Sequence, residues 1–388
     1  MKRSRASEAD ASMAPSIFSI PQGVLMEILS GLPMTTIGKC KCVCSYFRNL
    51  ISNPLFVQLH LSRSQPSLML CSRSPWYHST YLVLELSQPC AADGSESCDD
   101  ALISNSTLMK LEPKFRGFAE GWKVLSSCNG LICIYWPRTY NPYVIFNPII
   151  NESVIVTQMG KYNFDHCGSG FGHCPRTEQY KVLRFLSPRI GFGCPGLIRL
   201  EAEINTLGTN LWRRVGDAPL YLHLYSDGCF LNGALHWIVH DTENCFQSMH
   251  HFDFGKERFQ PFPGPSQFYR FLGQLRVDAM KMGVLKDHLS ISYNATHDML
   301  VIWVMKDYAV QDSWTKDFVI EMPWVVEPKF GHVYEPLMVL VDGDILMQFG
   351  LSGLVSFNIR DRSTKKVIID GLNSVTRAMT YIPSFVSI

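Results

Sequence analysis

Two His-Cys pairs, His166-Cys167 and His173-Cys174, carry the side chains of this 388-residue sequence that are best suited to metal chemistry. Two imidazoles and two thiolates are a ligand set that Zn²⁺ accepts in a tetrahedral site. The distance between the pairs does not match a zinc-finger pattern. We therefore expect no bound metal at these residues.

Two further patterns suggest ligand binding. Cys40, Cys42 and Cys44 alternate along a helical stretch and point in different directions, so we expect two of them in the core rather than at a metal.

Residues 191–196 read G-x-G-x-x-G, the string of dinucleotide-binding loops. That site needs a helix N-terminus after the string, whereas residues 197–204 alternate like a strand, so a β-turn is expected. No nucleophile elbow or Walker loop occurs, and we expect no catalytic residue and no cofactor.

The elements that must position any site begin with a helical stretch at residues 19–61. One face of its first helix is apolar, with members at Val24, Leu25, Ile28, Leu29 and Leu32. Ser19 is the predicted N-cap, with Gln22 completing a capping box, and Gly31 and Pro33 end the helix.

Further helices are predicted in the same stretch. The second follows Thr35 or Thr36 and reaches Phe47, and Asn53-Pro54 predicts the cap and first residue of another helix. A unit of about forty residues has too little interior for so many apolar side chains, so some must face a partner or another domain.

Composition excludes several functional classes. The 35 Lys and Arg residues balance 34 Asp and Glu residues, so no global basic field exists to hold nucleic acid. No apolar run approaches the roughly 18 residues of a membrane span, and no signal-peptide core is present. The 13 cysteines are irregularly spaced, which indicates reduced thiols in the cytoplasm, the nucleus or both. Residues 2–5 (KRSR) are either a signal for nuclear import or part of a solvated tail.

From residue 123 onward, short strands and turns recur in similar units. Corresponding points lie about fifty residues apart, at Leu131, Val182, Ala234, Lys286 and Asp344. This is the spacing of kelch-type propeller blades, and residues 67–388 have room for about six. Residues 377–386 form a predicted terminal strand that could pair with the blade begun by residues 67–86 and close the ring.

The apolar and proline positions of residues 20–51 also follow an ordered pattern. It consists of Ile20-Pro21, Glu27-Ile28-Leu29, Leu32-Pro33, Ile37, Cys40-x-x-Val43-Cys44, Phe47 and Leu50-Ile51. This pattern resembles an F-box, the module that docks a substrate receptor onto the Skp-type adaptor of a cullin–RING ubiquitin ligase. Gly23, Gly31 and Phe47 stand where Asp, Arg and Trp are common in the family. The resemblance implies an adaptor face, or its immediate support, formed by Ile20, Pro21, Val24, Ile28, Leu32, Pro33, Ile37 and Val43.

The β-rich part carries a second set of motifs in a fixed order. They include residues 127–133 (SCNGLIC), 145–148 (IFNP), 170–172 (GFG), 207–213 (LGTNLWR), 231–237 (LNGALHW) and 302–308 (IWVMKDY). Together they resemble the F-box-associated domain of plant F-box/kelch-like receptors, although His173-Cys174 departs from the family pattern. The resemblance implies a β-propeller that binds the protein to be ubiquitinated.

The expected fold is therefore mostly β. It comprises a disordered tail (1–15), an F-box (16–61), a joint (62–66) and a kelch-like F-box-associated β-propeller of about six blades (67–388). The expected function is substrate recognition in an SCF-type ubiquitin ligase by proximity, without catalysis, with a Skp-type adaptor, the cullin beyond it and a target protein as partners. The alternatives are a propeller enzyme of the kelch oxidase type and an adaptor-bound scaffold that does not promote ubiquitination.

Overall fold

The computed structural model of the chain describes residues 17–73, 79–84, 100–103, 108–111, 122–136, 142–157, 164–188, 200–209, 211–219, 228–241, 246–266, 280–296, 298–321, 334–350, 353–369, 372, 375 and 377–388. Two compact units divide the chain, Met1–Ser64 and Gln65–Ile388. The predicted tail at 1–15 and the glycine string at 191–196 lie outside the described residues.

The first unit is helical. After a 3-10 turn at Ile17–Ser19 come α1 Gln22–Ser30, α2 Met34–Val43, α3 Ser45–Ile51 and α4 Pro54–Arg63. Asn53 caps α4 as predicted: its side chain accepts a hydrogen bond from the Leu55 amide at 2.9 Å, and Pro54 is the first helical residue.

Four predictions about the helix ends were wrong. The N-cap of α1 is Pro21 and not Ser19, and Pro33 holds the corresponding position before α2, which begins earlier than predicted. The predicted second helix breaks at Cys44, whose extended backbone separates α2 from α3. Arg63, expected in the joint, is the last residue of α4. The residues before α1, α2 and α3 have non-helical backbone angles, and none of them makes a side-chain cap hydrogen bond.

The second unit consists of strands. In chain order they are β1 Ser67–Arg73, β2 Ser79–Leu84, β3 Asp100–Ile103, β4 Leu108–Leu111, β5 Lys123–Cys128, β6 Leu131–Tyr135, β7 Tyr143–Asn147, β8 Glu152–Val156, β9 Phe164–Cys174, β10 Gln179–Pro188, β11 Glu201–Thr206, β12 Trp212–Asp217, β13 Cys229–Leu231, β14 Ala234–Asp241, β15 Phe246–Asp253, β16 Arg258–Phe262, β17 Met280–Leu285, β18 His288–Thr296, β19 Met299–Met305, β20 Trp314–Glu321, β21 Tyr334–Val339, β22 Ile345–Phe349, β23 Gly353–Phe357, β24 Thr364–Ile369 and β25 Arg377–Tyr381.

These strands form the six blades of a β-propeller, which confirms the predicted fold class. Numbered from the inner strand outward, blade 1 is β25-β1-β2-β4, blade 2 is β5 to β8, blade 3 is β9 to β12, blade 4 is β13 to β16, blade 5 is β17 to β20 and blade 6 is β21 to β24. Neighbouring strands within each of these groups of four are antiparallel.

The ring is closed at two radii. At the inner edge, β25 pairs antiparallel with β1, with Met69 opposite Met379, as the sequence predicted. At the outer edge, β3 leaves the connection between β2 and β4 and adds a parallel fifth strand to blade 6, beside β24. No sequence pattern predicted β3. Closure by strands from both ends of the unit protects sheet edges and joins blades 1 and 6.

Glycines in β9 allow blades 3 and 4 to pack closely. The motif Gly170-Phe171-Gly172 lies inside this strand. A Cβ atom at Gly170 would lie 2.3 Å from a Leu235 side-chain carbon, and one at Gly172 would lie 2.4 Å from a Phe254 ring carbon. Both distances are far shorter than a van der Waals contact, so the side chains of blade 4 occupy the space that these glycines leave.

The propeller has two faces that follow from its topology. Antiparallel strands put the first-to-second and third-to-fourth connections of each blade on one face, here called the turn face. The second-to-third connections and the links between blades lie on the opposite face, here called the loop face. All six inner strands begin at the loop face and run toward the turn face.

Candidate functional site

The apolar arc of α1 divides into a buried part and an exposed part. Leu25 and Leu29 are buried, whereas Val24 is 49% exposed and Ile28 is 52% exposed. Val24 and Ile28 are four residues apart and therefore lie one turn apart on the same side of the helix. The unit leaves about half of the surface of these two neighbouring branched apolar residues exposed to water.

Prolines flank this exposed stripe. Pro21 and Pro33 are exposed N-cap residues with extended backbone, at φ −53° and −55°. Ile20 and Leu32, next to them in the chain, are half-buried. We call Ile20, Pro21, Val24, Ile28, Leu32 and Pro33 the α1 face; all six belong to the predicted adaptor set.

The other two predicted adaptor residues occupy different environments. Ile37 is buried with no exposed surface, so it can only support a face from beneath. Val43, the last residue of α2, is 71% exposed. The structure thus brings six predicted residues together along α1 and its ends, places Val43 at the end of the next helix and places Ile37 in the core.

An ion pair that the sequence did not predict joins the first and last helices of the unit. The Arg63 guanidinium on α4 pairs with the Glu27 carboxylate on α1. It also donates to the Ser30 hydroxyl at 2.8 Å and to the Glu27 carbonyl at 3.4 Å. Both charged side chains are exposed, so the pair contributes at most about 1 kcal/mol and acts chiefly to orient α4 on α1.

The four residues considered as zinc ligands are not brought together. His166, Cys167, His173 and Cys174 all lie in β9, and a strand that rises about 3.3 Å per residue separates the two pairs by roughly 20 Å. Among the described residues, no group of three or more His, Cys, Asp and Glu side chains could hold a metal ion.

The burial predicted for Cys40, Cys42 and Cys44 was wrong. Two of them were expected in the core, but Cys40 and Cys44 are half-buried and Cys42 is exposed. Helical alternation alone could not decide their burial, because the helix break at Cys44 changes the direction of its side chain.

A buried polar cluster joins blades 2 and 3. The Tyr143 hydroxyl lies 2.6 Å from His166 Nε2 and 2.5 Å from Ser169 Oγ. Burial, and then the nearby positive charge of Arg184, lower the pKa of His166 to about 3. The imidazole is therefore neutral at physiological pH, and it acts in a structural hydrogen-bond network.

Arg184 extends this cluster into blade 3. Its Nε donates to the Glu203 carboxylate at 2.9 Å, and both side chains are buried. The guanidinium also lies 4.1 Å from the centre of the Trp212 ring, a cation–π contact. Trp237, Trp303 and Trp314 are buried as well, so most of the repeated tryptophans serve core or inter-blade packing, as predicted.

The motifs of blade 2 hold the C-terminal residues on the turn face. The buried Asn147 side chain donates to the carbonyls of Ser384 at 3.0 Å and Val386 at 2.7 Å. The Ser384 hydroxyl donates to the Asn129 carbonyl at 2.6 Å. Gly130 has φ +84°, and a Cβ atom there would lie 2.0 Å from Ser384 Oγ. The Asn-Gly and Asn-Pro motifs thus form a seat for residues 382–388, which the sequence did not reveal.

The chain thus combines a small helical unit that exposes an apolar stripe with a six-bladed β-propeller. Comparison with known families agrees with this organisation. The chain belongs to the family of the F-box associated beta propeller domain, whose model matches residues 99–388. An F-box-like model matches residues 17–62.

Relatives with similar organisation occur in Arabidopsis thaliana. F-box protein At3g07870 is 25% identical over 91% of this chain and 88% of its own length. F-box/kelch-repeat protein At3g23880 is 24% identical over 95% of this chain and 96% of its own length. F-box protein CPR1 is 25% identical over 95% of this chain and 89% of its own length. The resemblance to plant F-box/kelch proteins is thereby confirmed.

Proposed function

We propose that this protein is the substrate-recognition subunit of an SCF-type ubiquitin ligase. Its F-box docks on a Skp-type adaptor and, through it, on a cullin, and its propeller holds a target protein. The observation that supports this most directly is the α1 face: apolar side chains and two prolines remain in water on the part of the chain that matches the F-box-like family. Burial of that face by a partner would recover the hydrophobic free energy that the isolated unit forgoes.

The proposed mechanism is proximity and not covalent chemistry. A target held on the propeller meets the charged ubiquitin-conjugating enzyme at a raised effective concentration, which favours transfer to an acceptor lysine. The protein then needs no catalytic residue of its own.

None of the described helices is long and apolar enough to cross a membrane. Action in the cytoplasm, the nucleus or both is part of the proposal.

Capture of a recombinant Skp-type adaptor by the full chain tests the docking step. Val24→Glu with Ile28→Glu puts two charges into the α1 face without entering the core, and we expect a loss of about 2 kcal/mol or more of binding free energy. Val341→Glu, at a position 82% exposed in the propeller, is the matched control and leaves capture unchanged. Equal capture by the double variant and the wild type would contradict docking through this face.

A second measurement separates a ligase receptor from a scaffold. The half-life of proteins that co-purify with the chain is compared in cells with active and inhibited cullin. A receptor lengthens the half-life of its target when the cullin is inhibited, whereas a scaffold leaves it unchanged.

A further inference from the structure

Two buried polar atoms in the sheet of blade 3 have no hydrogen-bond partner among the described residues. They are Nη1 of Arg184 on β10 and Oδ1 of Asn205 on β11. Arg184 is 2% exposed and Asn205 is 1% exposed, so bulk water does not reach them. A buried donor or acceptor without a partner costs free energy, and native proteins rarely leave one. We call these two atoms the orphan pair.

The strand register places both side chains on one face of the sheet. Arg184 lies two residues after Val182, and Asn205 lies directly opposite Val182. Alternate residues of a strand share a face, and so do directly opposite residues of neighbouring strands. Arg184 and Asn205 are therefore diagonal neighbours, whose Cβ atoms lie about 7–8 Å apart or less. Over that distance, the ends of the two side chains can reach one bridging molecule.

Trp212 shows where the orphan pair lies. This residue is directly opposite Asn205 on β12, and the Arg184 guanidinium lies 4.1 Å from the centre of its ring. The same ring approaches that of Tyr143 in blade 2, with centroids 5.8 Å apart. The orphan pair thus belongs to the interface between blades 2 and 3, on the same side of the sheet as the buried polar cluster that joins these blades.

The other polar atoms of the two side chains are already used. Arg184 Nε donates to a Glu203 carboxylate oxygen at 2.9 Å, and Arg184 Nη2 donates to the same oxygen. The Asn205 amide nitrogen donates to the Leu211 carbonyl at 3.0 Å. One donor group and one acceptor are left. A molecule that accepts a hydrogen bond from Arg184 and donates one to Asn205 satisfies both.

We propose that Arg184 Nη1 and Asn205 Oδ1 bind a buried water molecule that bridges them. Water accepts from a guanidinium and donates to an amide oxygen, and a buried water commonly makes two to four hydrogen bonds. The hydrogen bonds then run in one direction: Arg184 donates to the water, the water donates to Asn205, and Asn205 donates to the Leu211 carbonyl. This chain links the buried ion pair to the connection between β11 and β12 on the turn face.

An ion fits this position less well than a neutral molecule. The positive charge of Arg184 is already balanced by the buried carboxylate of Glu203. The nearby His166 imidazole is neutral at physiological pH, so it supplies no second positive charge for an anion. An anion would also meet the amide oxygen of Asn205, which cannot donate to it, and a cation would meet the guanidinium.

A crystal structure of the full chain, at a resolution that shows ordered water, tests the inference. The electron-density map of the wild type should contain a peak within about 3.2 Å of both Arg184 Nη1 and Asn205 Oδ1. Asn205→Leu should lose the peak, because it removes the acceptor. Asn358→Leu is the matched control: Asn358 is half-buried in blade 6, and its replacement should leave the peak in place.

A measurement in solution complements the map. Magnetic relaxation dispersion of the water oxygen nucleus counts water molecules that stay inside a protein for long times. That count should fall by a single molecule in Asn205→Leu and stay unchanged in Asn358→Leu.

Three results would overturn the inference. The first is a wild-type map without a peak between the two atoms. The second is a direct hydrogen bond between Arg184 Nη1 and Asn205 Oδ1, which would leave no place for water. The third is a peak that gives an anomalous signal after crystals are soaked in bromide, which would identify an anion. The wild-type map decides the question even if Asn205→Leu does not fold.

Discussion

Replacement of Asn147 by alanine should destabilise the propeller by detaching its C-terminal residues. The side chain is fully buried and makes three hydrogen bonds to the backbone. It donates to the Ser384 and Val386 carbonyls at 3.0 and 2.7 Å and accepts from the Ile149 amide at 2.9 Å. Each lost bond leaves a partner without its hydrogen bond, which costs about 1 kcal/mol or slightly more, so Asn147→Ala should cost about 3–4 kcal/mol.

Asn358→Ala provides a matched control. Asn358 begins the corresponding third-to-fourth connection in blade 6 and accepts from the Arg360 and Asp361 amides, at 2.8 and 3.2 Å. The Asn358 side chain is only half-buried, so water can replace its oxygen as the hydrogen-bond acceptor. Asn358→Ala should therefore lower the free energy of unfolding by only about 1 kcal/mol. For a unit of this size, the melting temperature should fall by about 4–6 °C in Asn147→Ala and by about 1–2 °C in Asn358→Ala.

Differential scanning calorimetry of the full chain measures both shifts. Truncation after Tyr381 completes the comparison, because it removes the residues that Asn147 holds. In the truncated chain, Asn147→Ala should cost no more than Asn358→Ala, since the coupling between Asn147 and the C-terminal residues is gone. Equal melting temperatures of the two alanine variants in the full-length chain would refute the assignment of Asn147 as the seat of residues 382–388.

Three further predictions use the same measurement. Gly130→Ala should destabilise the chain more than Gly208→Ala. Both glycines have φ +84°, so alanine at either position costs about 1–2 kcal/mol of backbone strain, but only at Gly130 does the new Cβ meet a neighbouring residue. Equal losses of stability in the two variants would contradict the close approach at Gly130. Glu203→Ala should lower the free energy of unfolding by about 3–5 kcal/mol, because it leaves the buried Arg184 guanidinium without its carboxylate. The double variant Arg184→Met with Glu203→Leu should lower it less. A larger loss of stability in the double variant would argue against this reasoning. Burial, with a further contribution from His251, lowers the pKa of His236 to about 4. The imidazole in the unfolded chain therefore takes up a proton near pH 6.5, whereas the same group in the folded chain does not. The free energy of unfolding should decrease as the pH falls from 6.5 toward 4, and His236→Gln should flatten that decrease.

Local patterns predicted much of the blade structure. Strands such as β6, β7, β19 and β22 consist of alternating or continuous apolar runs between turn residues, which are a local signal. The fifty-residue period located five of the six blades for the same reason. The glycine string at 191–196 lies outside the described residues, so the β-turn expected there stays a prediction.

The candidate docking face was predicted only in part. Periodicity identified the apolar arc of α1, but a wide arc does not show which of its members the other helices cover. Packing decided that Leu25 and Leu29 are buried and that Val24 and Ile28 are exposed. Ile37 carries the same type of side chain as the exposed positions and is fully buried, so residue type alone could not separate the face from its support.

By itself, the order of residues determined the elements that depend on near neighbours: helices, blade strands, turns, and the two modules with their resemblance to known families. Only the tertiary structure decided the second closure by β3, the seat of residues 382–388 at Asn147 and the buried Arg184–Glu203 pair. These features join residues far apart in the chain, whose contacts form only when the sheets close into a ring, and no local periodicity records them.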